Sequence, residues 1–236
     1  MIGIDRPIRP RWIYETLKNL KPGERPTIFN EVFENIAREL IGKEGKRKIR
    51  TIIFRSFIYS LQKEKNIIKP NEFIYWAESE DIKKLEPLFL MKILMDYEIT
   101  RFIVRKTAVS IDNSNQVSVP LLSKLMVKEF GDRDIVKRSL RAFLTTLVHF
   151  KILRQTDINN YILNKKKALS NEQVRKFIIL YSKYYICSKI INIKEIEPEF
   201  FFFFKPVDLT AVGNEFNSRD WEFIREIDRN MLILKY

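Results

Sequence analysis

One cysteine, one histidine and six glycines in 236 residues remove most catalytic templates before any motif is sought. Cys187 alone can form no intramolecular disulfide and no cysteine-rich zinc site, which suits a reducing cytosol. His149 alone excludes histidine metal clusters and argues against a Ser-His-Asp triad. The glycines are scattered, and no phosphate-cradling loop of the GxxxxGK type occurs. No run approaches the roughly 18 apolar residues of a membrane span, and Arg6, Arg9 and Arg11 precede no signal-peptide core. Asp96 and Glu98 lie close together, but no acidic pair has the spacing of a metal-dependent nuclease. The expectation is a cytoplasmic, non-enzymatic protein with no cofactor, no metal and no membrane segment.

What the chain does have is apolar residues and cations. Its 45% hydrophobic content can fill a real core. Lys and Arg number 43 against 30 Asp and Glu, a net charge of +13. Such an excess favours a polyanionic partner, because neutralised phosphates release counterions. The plainer alternative is a solvated surface on a Lys- and Ile-rich protein.

The apolar spacing predicts a mainly α chain in three parts. Residues 1–109 form a helical N-terminal domain with a basic patch, residues 110–169 a winged helix-turn-helix, and residues 170–236 a C-terminal helical and extended region, an α/β extension. In the first part an extended basic arm leads to a helix over about 12–20. Thr27 is positioned to cap a second helix reaching Leu40, and Ile49, Ile52, Ile53, Phe57 and Leu61 stripe a third over about 45–65. That helix carries Lys46, Arg47, Lys48 and Arg50 in its first turns, against the macrodipole, which points to an anionic partner or a solvated face. A short helix passes through Trp76, another runs from Ser79 to Glu86 before Pro87, and one long buried helix is expected over 88–106. The polar stretch 110–118 reads as a linker.

Val119 to Lys166 is the most specific segment. Pro120 opens a helix whose inward face is Leu121, Leu122, Leu125, Met126 and Phe130. Gly131 ends it, and Asp132 or Asp134 caps the next. In that second helix Ile135, Val136, Leu140, Phe143, Leu144, Leu147 and Val148 face inward. Lys137, Arg138, Arg141 and Thr145 face outward, with Arg133 at the start, where a recognition helix meets base edges. A hairpin over 152–163 follows, turning at Asp157–Asn160 on residues that tolerate positive φ. Lys165, Lys166 and Lys167 then stand where a wing touches the DNA backbone. The outward cations predict double-stranded DNA as partner, although winged helices also serve as protein-interaction modules.

Beyond the wing, Ser170 and Gln173 form a capping box for a helix over 171–192. The Phe200–Phe204 run reads as a buried strand, 213–218 as a loop, 220–230 as a short helix and 231–236 as an extended tail. His149 and Cys187 are expected to be structural, and Trp12, Trp76 and Trp221 to serve packing.

Three stretches carry a family resemblance: ARELIGKEGKRKIRTIIFRSFIYSL from Ala37, LFLMKILMDYEITRFIVRK from Leu88 and DRDIVKRSLRAFLTTLVHFKIL from Asp132. In pattern and order this resembles BrxA-type proteins of BREX phage-defence systems, over roughly Ala37 to Leu169. The Phe-rich C-terminal part departs from that likeness. The resemblance implies double-stranded DNA binding without catalysis, in company with other defence-system proteins. A protein-interaction subunit and an RNA-binding protein remain the alternatives.

Overall fold

Apolar residues recurring every three to four positions make the chain mainly helical, with two small antiparallel sheets. A computed structural model describes residues 3–111 and 115–236. The chain divides into two compact units, one ending at Asn164 and one spanning Lys165–Tyr236.

In the first unit the N-terminal arm is built into the core rather than free. Ile4 and Ile8 are fully buried, and the Ile8 amide donates to Thr146 Oγ1 at 3.0 Å. A β-carbon on Gly3 would come within 2.5 Å of Ser139 Oγ, so only glycine fits there. Six helices follow: α1 (Pro10–Asn19), α2 (Phe29–Ile36), α3 (Lys43–Phe54), α4 (Glu72–Ser79), α5 (Ile82–Asp96) and α6 (Glu98–Ser110). Next come β1 (Gln116–Ser118), α7 (Val119–Phe130), α8 (Asp134–His149), β2 (Leu153–Gln155) and β3 (Asn160–Leu163). The strands pair antiparallel in the order β1-β3-β2.

Several expected elements differ. The second helix ends at Ile36, and Ile28, whose side chain makes no capping bond, precedes it instead of Thr27. The third leaves α-geometry early, in a π-helical turn over Arg55–Tyr59. Pro87 does not stop a helix but lies inside α5. The long central helix is two, because Tyr97 is extended (φ −121°, ψ 108°) between α5 and α6. The freed carbonyls of α5 are taken up locally: Arg101 Nη1 donates to Met95 and Leu94, and Thr100 Oγ1 donates to Tyr97 at 2.6 Å. The linker expected over 110–118 holds β1 at its end; residues 112–114 lie outside the described residues.

The expected boundary near residue 110 does not separate compact units. The reason is that α6 packs against both α7 and α8, with Phe102 edge-on to Phe130 at 5.1 Å. The later boundary falls at 164/165 instead of 169/170, which assigns Lys165, Lys166 and Lys167 to the C-terminal unit.

That unit contains α9 (Asn171–Leu180), β4 (Ile190–Asn192), α10 (Leu209–Glu215), β5 (Trp221–Arg225) and β6 (Asn230–Leu234), with sheet order β4-β6-β5. The Ser170–Gln173 capping box starts α9. The helix expected to reach residue 192 passes into a π-helical turn over Tyr181–Ile186 and stops at Cys187, which is left-handed (φ 52°) and exposed, not a core residue. The phenylalanine run is a tight turn after a short 3-10 segment, with Phe200, Phe203 and Phe204 buried. Asp208 caps α10 where a loop was expected, and β5–β6 is a hairpin where a short helix was expected.

Candidate nucleic-acid interface

Sixteen residues of α8 sort cleanly by face. Val136, Ser139, Leu140, Phe143, Thr146 and Leu147 are buried, while Asp134, Lys137, Arg138 and Arg141 are exposed and Thr145 is half-exposed. Spacings of three and four bring 134, 138, 141 and 145 into one stripe, with 137 at its edge. Ile135 departs from the inward face expected of it, being 36% exposed, as does Leu121 of α7 at 43%.

The turn before α8 is fixed by backbone geometry. Gly131 has φ 81° and ψ 162°, a region essentially restricted to glycine. The Gly131 amide closes α7 on the Val127 carbonyl at 2.9 Å. Arg133 precedes α8, and its guanidinium folds back to donate to the Phe130 carbonyl at 2.9 and 3.1 Å. It therefore caps α7, and neither Asp132 nor Asp134 makes a side-chain cap for α8. Both carboxylates do something else: Asp132 pairs with Lys137 at 2.5 Å and Asp134 with Arg138 at 3.1 Å. The side-chain bond from Asp132 raises the Lys137 ammonium above its usual range. Arg141 has no ion-pair partner among the described residues.

The hairpin after α8 turns by a different device from the one expected. No residue from Asp157 to Asn160 has positive φ. The Asp157 carboxylate instead accepts from the Asn159 amide at 2.8 Å and from the Asn160 side chain at 3.0 and 3.2 Å. Those bonds, the Asn159 amide first, hold Asp157 below the usual carboxylate range. The Asn159 carbonyl accepts from the Val119 amide at 2.8 Å, tying the hairpin tip to the start of α7. Arg154 is exposed on β2, and Lys151 is exposed just before it with φ 59°. The sequence reading passed over both; the available signal was the inward Leu153 beside the outward Arg154.

The remaining predicted cations are arranged less simply. Lys165 and Lys167 are exposed in the C-terminal unit, Lys166 Nζ lies 4.6 Å from the Phe202 ring centre, and the Lys167 carbonyl accepts from the Lys205 amide. On α3, Lys46 pairs with Glu34 at 2.7 Å, Arg47 makes a two-pronged contact to Glu44 at 2.8 and 2.9 Å, and Lys48 approaches Glu44 and Asp5. Only Arg50 of this patch lacks an ion-pair partner among the described residues. Burial lowers its pKa, with the nearby Tyr59 acting against the shift.

The charge is not spread evenly. Up to Asn164 there are 30 Lys and Arg against 20 Asp and Glu, and beyond it 13 against 10. His149, half-buried at the end of α8, is pushed below its usual pKa first by desolvation and then by Arg9. Among the described residues no group of His, Cys, Asp and Glu could hold a metal ion, and no helix is long and apolar enough to cross a membrane. No protein-family model, no curated protein and no solved structure matches this chain.

Proposed function

We propose that the unit ending at Asn164 contains a winged helix-turn-helix that binds double-stranded DNA without catalysing a reaction. In this reading α7 and α8 are the helix-turn-helix, α8 is the recognition helix, and β2–β3 is the wing. The observation that carries it is the exposed stripe of Lys137, Arg138 and Arg141 on a helix whose opposite side is core. Arg141, with no competing carboxylate, is the candidate for a guanine edge. Lys137 and Arg138 exchange their exposed carboxylate partners for phosphate, since surface ion pairs are weak. Arg154 and Lys151 supply the wing's cations. Lys165, Lys166 and Lys167 bind backbone phosphate as part of the neighbouring unit. The likeness to BrxA-type proteins adds a setting, phage defence alongside other defence-system proteins.

A gel-shift series with the full chain tests the proposal, comparing one labelled duplex with an RNA of the same length at 50 and 200 mM salt. Duplex should be retained over RNA, and its affinity should fall by about 10³-fold across that range if some six phosphates are contacted. Preferential RNA binding, or equal affinity at both salt levels, would remove the proposal.

A further inference from the structure

The π-helical turn at Arg55–Tyr59 has a consequence for the surface beside it. Residues 50 and 59 of a regular α-helix would lie on opposite faces, nine residues at about 3.6 per turn. The wider turn swings Tyr59 round toward Arg50, and both line one hollow of about 140 Å³ floored by Phe54 and edged by Thr27 and Asn30. π-Turns of this kind concentrate at functional sites.

Two further hollows adjoin it. One, of about 220 Å³, shares Asn30 and Arg50 with it and is bounded by Lys43 and Lys46. The other, of about 490 Å³, shares Pro26, Thr27 and Tyr59 with it and is bounded by Arg25, Lys65 and Asn66. The three form a trough with cations along its length and one carboxylate, Glu34, already paired with Lys46. Arg25, Arg50 and Lys65 have no ion-pair partner among the described residues. Arg50 sits at the midpoint, half-buried beside a half-buried phenol; burial disfavours its charge, and Glu34, already paired with Lys46, acts on it only from beyond ion-pair distance. A half-buried cation without an ion pair of its own, at the centre of a concave surface, is what an anionic ligand requires.

We infer that this trough binds a single-stranded stretch of nucleic acid, with phosphates on Arg50, Arg25 and Lys65 and a base against the Tyr59 ring. A strand fits better than a free nucleotide because the cations extend along three adjoining hollows, not around one closed pocket. Cations tracking a backbone beside an aromatic ring make the general pattern of strand-binding grooves. Asn30 and Asn66 add amides that can reach base edges without demanding one sequence. The inference does not rest on the α8 reading, since none of these residues belongs to α7, α8 or the hairpin.

Fluorescence anisotropy of the full chain with fluorescein-labelled hexathymidylate and hexauridylate is the test. Arg50→Gln should weaken binding at least tenfold, and Lys65→Gln, at an exposed position that does not endanger the fold, about threefold. Arg141→Ala should leave hexamer affinity within twofold, which separates the trough from any failure of duplex binding at α8. Arg50→Lys should recover part of the loss, and thermal melting of each variant checks its fold. Hexamer binding unchanged in both Arg50→Gln and Lys65→Gln overturns the inference. So does a wild-type chain that binds neither hexamer, or thymidine monophosphate displacing the hexamer as well as unlabelled hexamer does.

Discussion

At the scale of single residues, the largest stability terms sit where charge has been taken out of water. Lys92 is fully buried on α5, hydrogen-bonded to Asp96 one turn on and to Ser60 Oγ at 2.9 Å. Desolvation, opposed by the partner, pushes the lysine down and the aspartate up. Asp96→Ala should therefore cost about 3–5 kcal/mol by denaturant unfolding, because it strands the ammonium, whereas Lys92→Met with Asp96→Leu should be near neutral. Glu39 behaves in the opposite sense. Burial alone would raise its pKa, but its own amide and the Arg11 and Trp12 side chains outweigh that and hold it at about 2. Arg11, Trp12 and Arg9 all donate to its Oε1, at 2.8, 2.9 and 3.2 Å. A depressed carboxylate stabilises the fold above its unfolded pKa of 4.5, and the gain is lost as pH falls toward 2. Melting temperature should drop across that window, and less steeply in Glu39→Gln.

At the scale of elements, the turn between α7 and α8 depends on Gly131. Gly131→Ala meets no steric obstacle but forces a side chain into a glycine-only conformation, so it should cost about 1–3 kcal/mol in denaturant unfolding. The helices most readable in the sequence were those with an apolar stripe on one face, such as α8, because periodicity reports a face directly. A helix buried on every side over its last turns, as α5 is from Leu88 to Met95, offers no stripe to mark its end. Its break at Tyr97 is held by local side-chain bonds, Arg101 and Thr100 reaching back from α6, which apolar periodicity does not report. The C-terminal hairpin was read as helix because the Glu222–Arg229 charges mimic a solvated helical face. Strand pairing between β4 and β6 joins positions some forty residues apart, which no local window contains. The N-terminal arm was legible as extended but not as core, since the Thr146 hydroxyl that holds the Ile8 amide, and the Ser139 and Ile99 side chains beside Gly3, lie on distant helices. Ile8→Ala should lower stability by about 2–5 kcal/mol, read by chemical denaturation, as for any fully buried isoleucine.

At the scale of the whole molecule, the proposed duplex contact turns on which cations stand free of carboxylates. The outward cations of α8 were legible from spacing alone. One partner was legible too, since Asp134 stands a helical turn from Arg138, whereas Asp132 reaches Lys137 from the turn before α8. On α3 the pairing of Lys46 with Glu34 and the approach of Lys48 to Asp5 come from residues remote in sequence, so the run looked freer than it is. Arg154 and Arg25 went unnoticed because neither stands in a cationic cluster. The salt dependence of duplex affinity, compared between the wild-type chain and Arg138→Ala/Arg141→Ala, bears most directly on DNA binding through α8. Each phosphate contact contributes a slope of about −0.9 in log affinity against log salt, so losing the Arg138 phosphate contact should make the double variant's slope shallower by about 1, while losing the Arg141 base contact weakens binding further. A variant with the slope and affinity of the wild-type chain would contradict that role for α8.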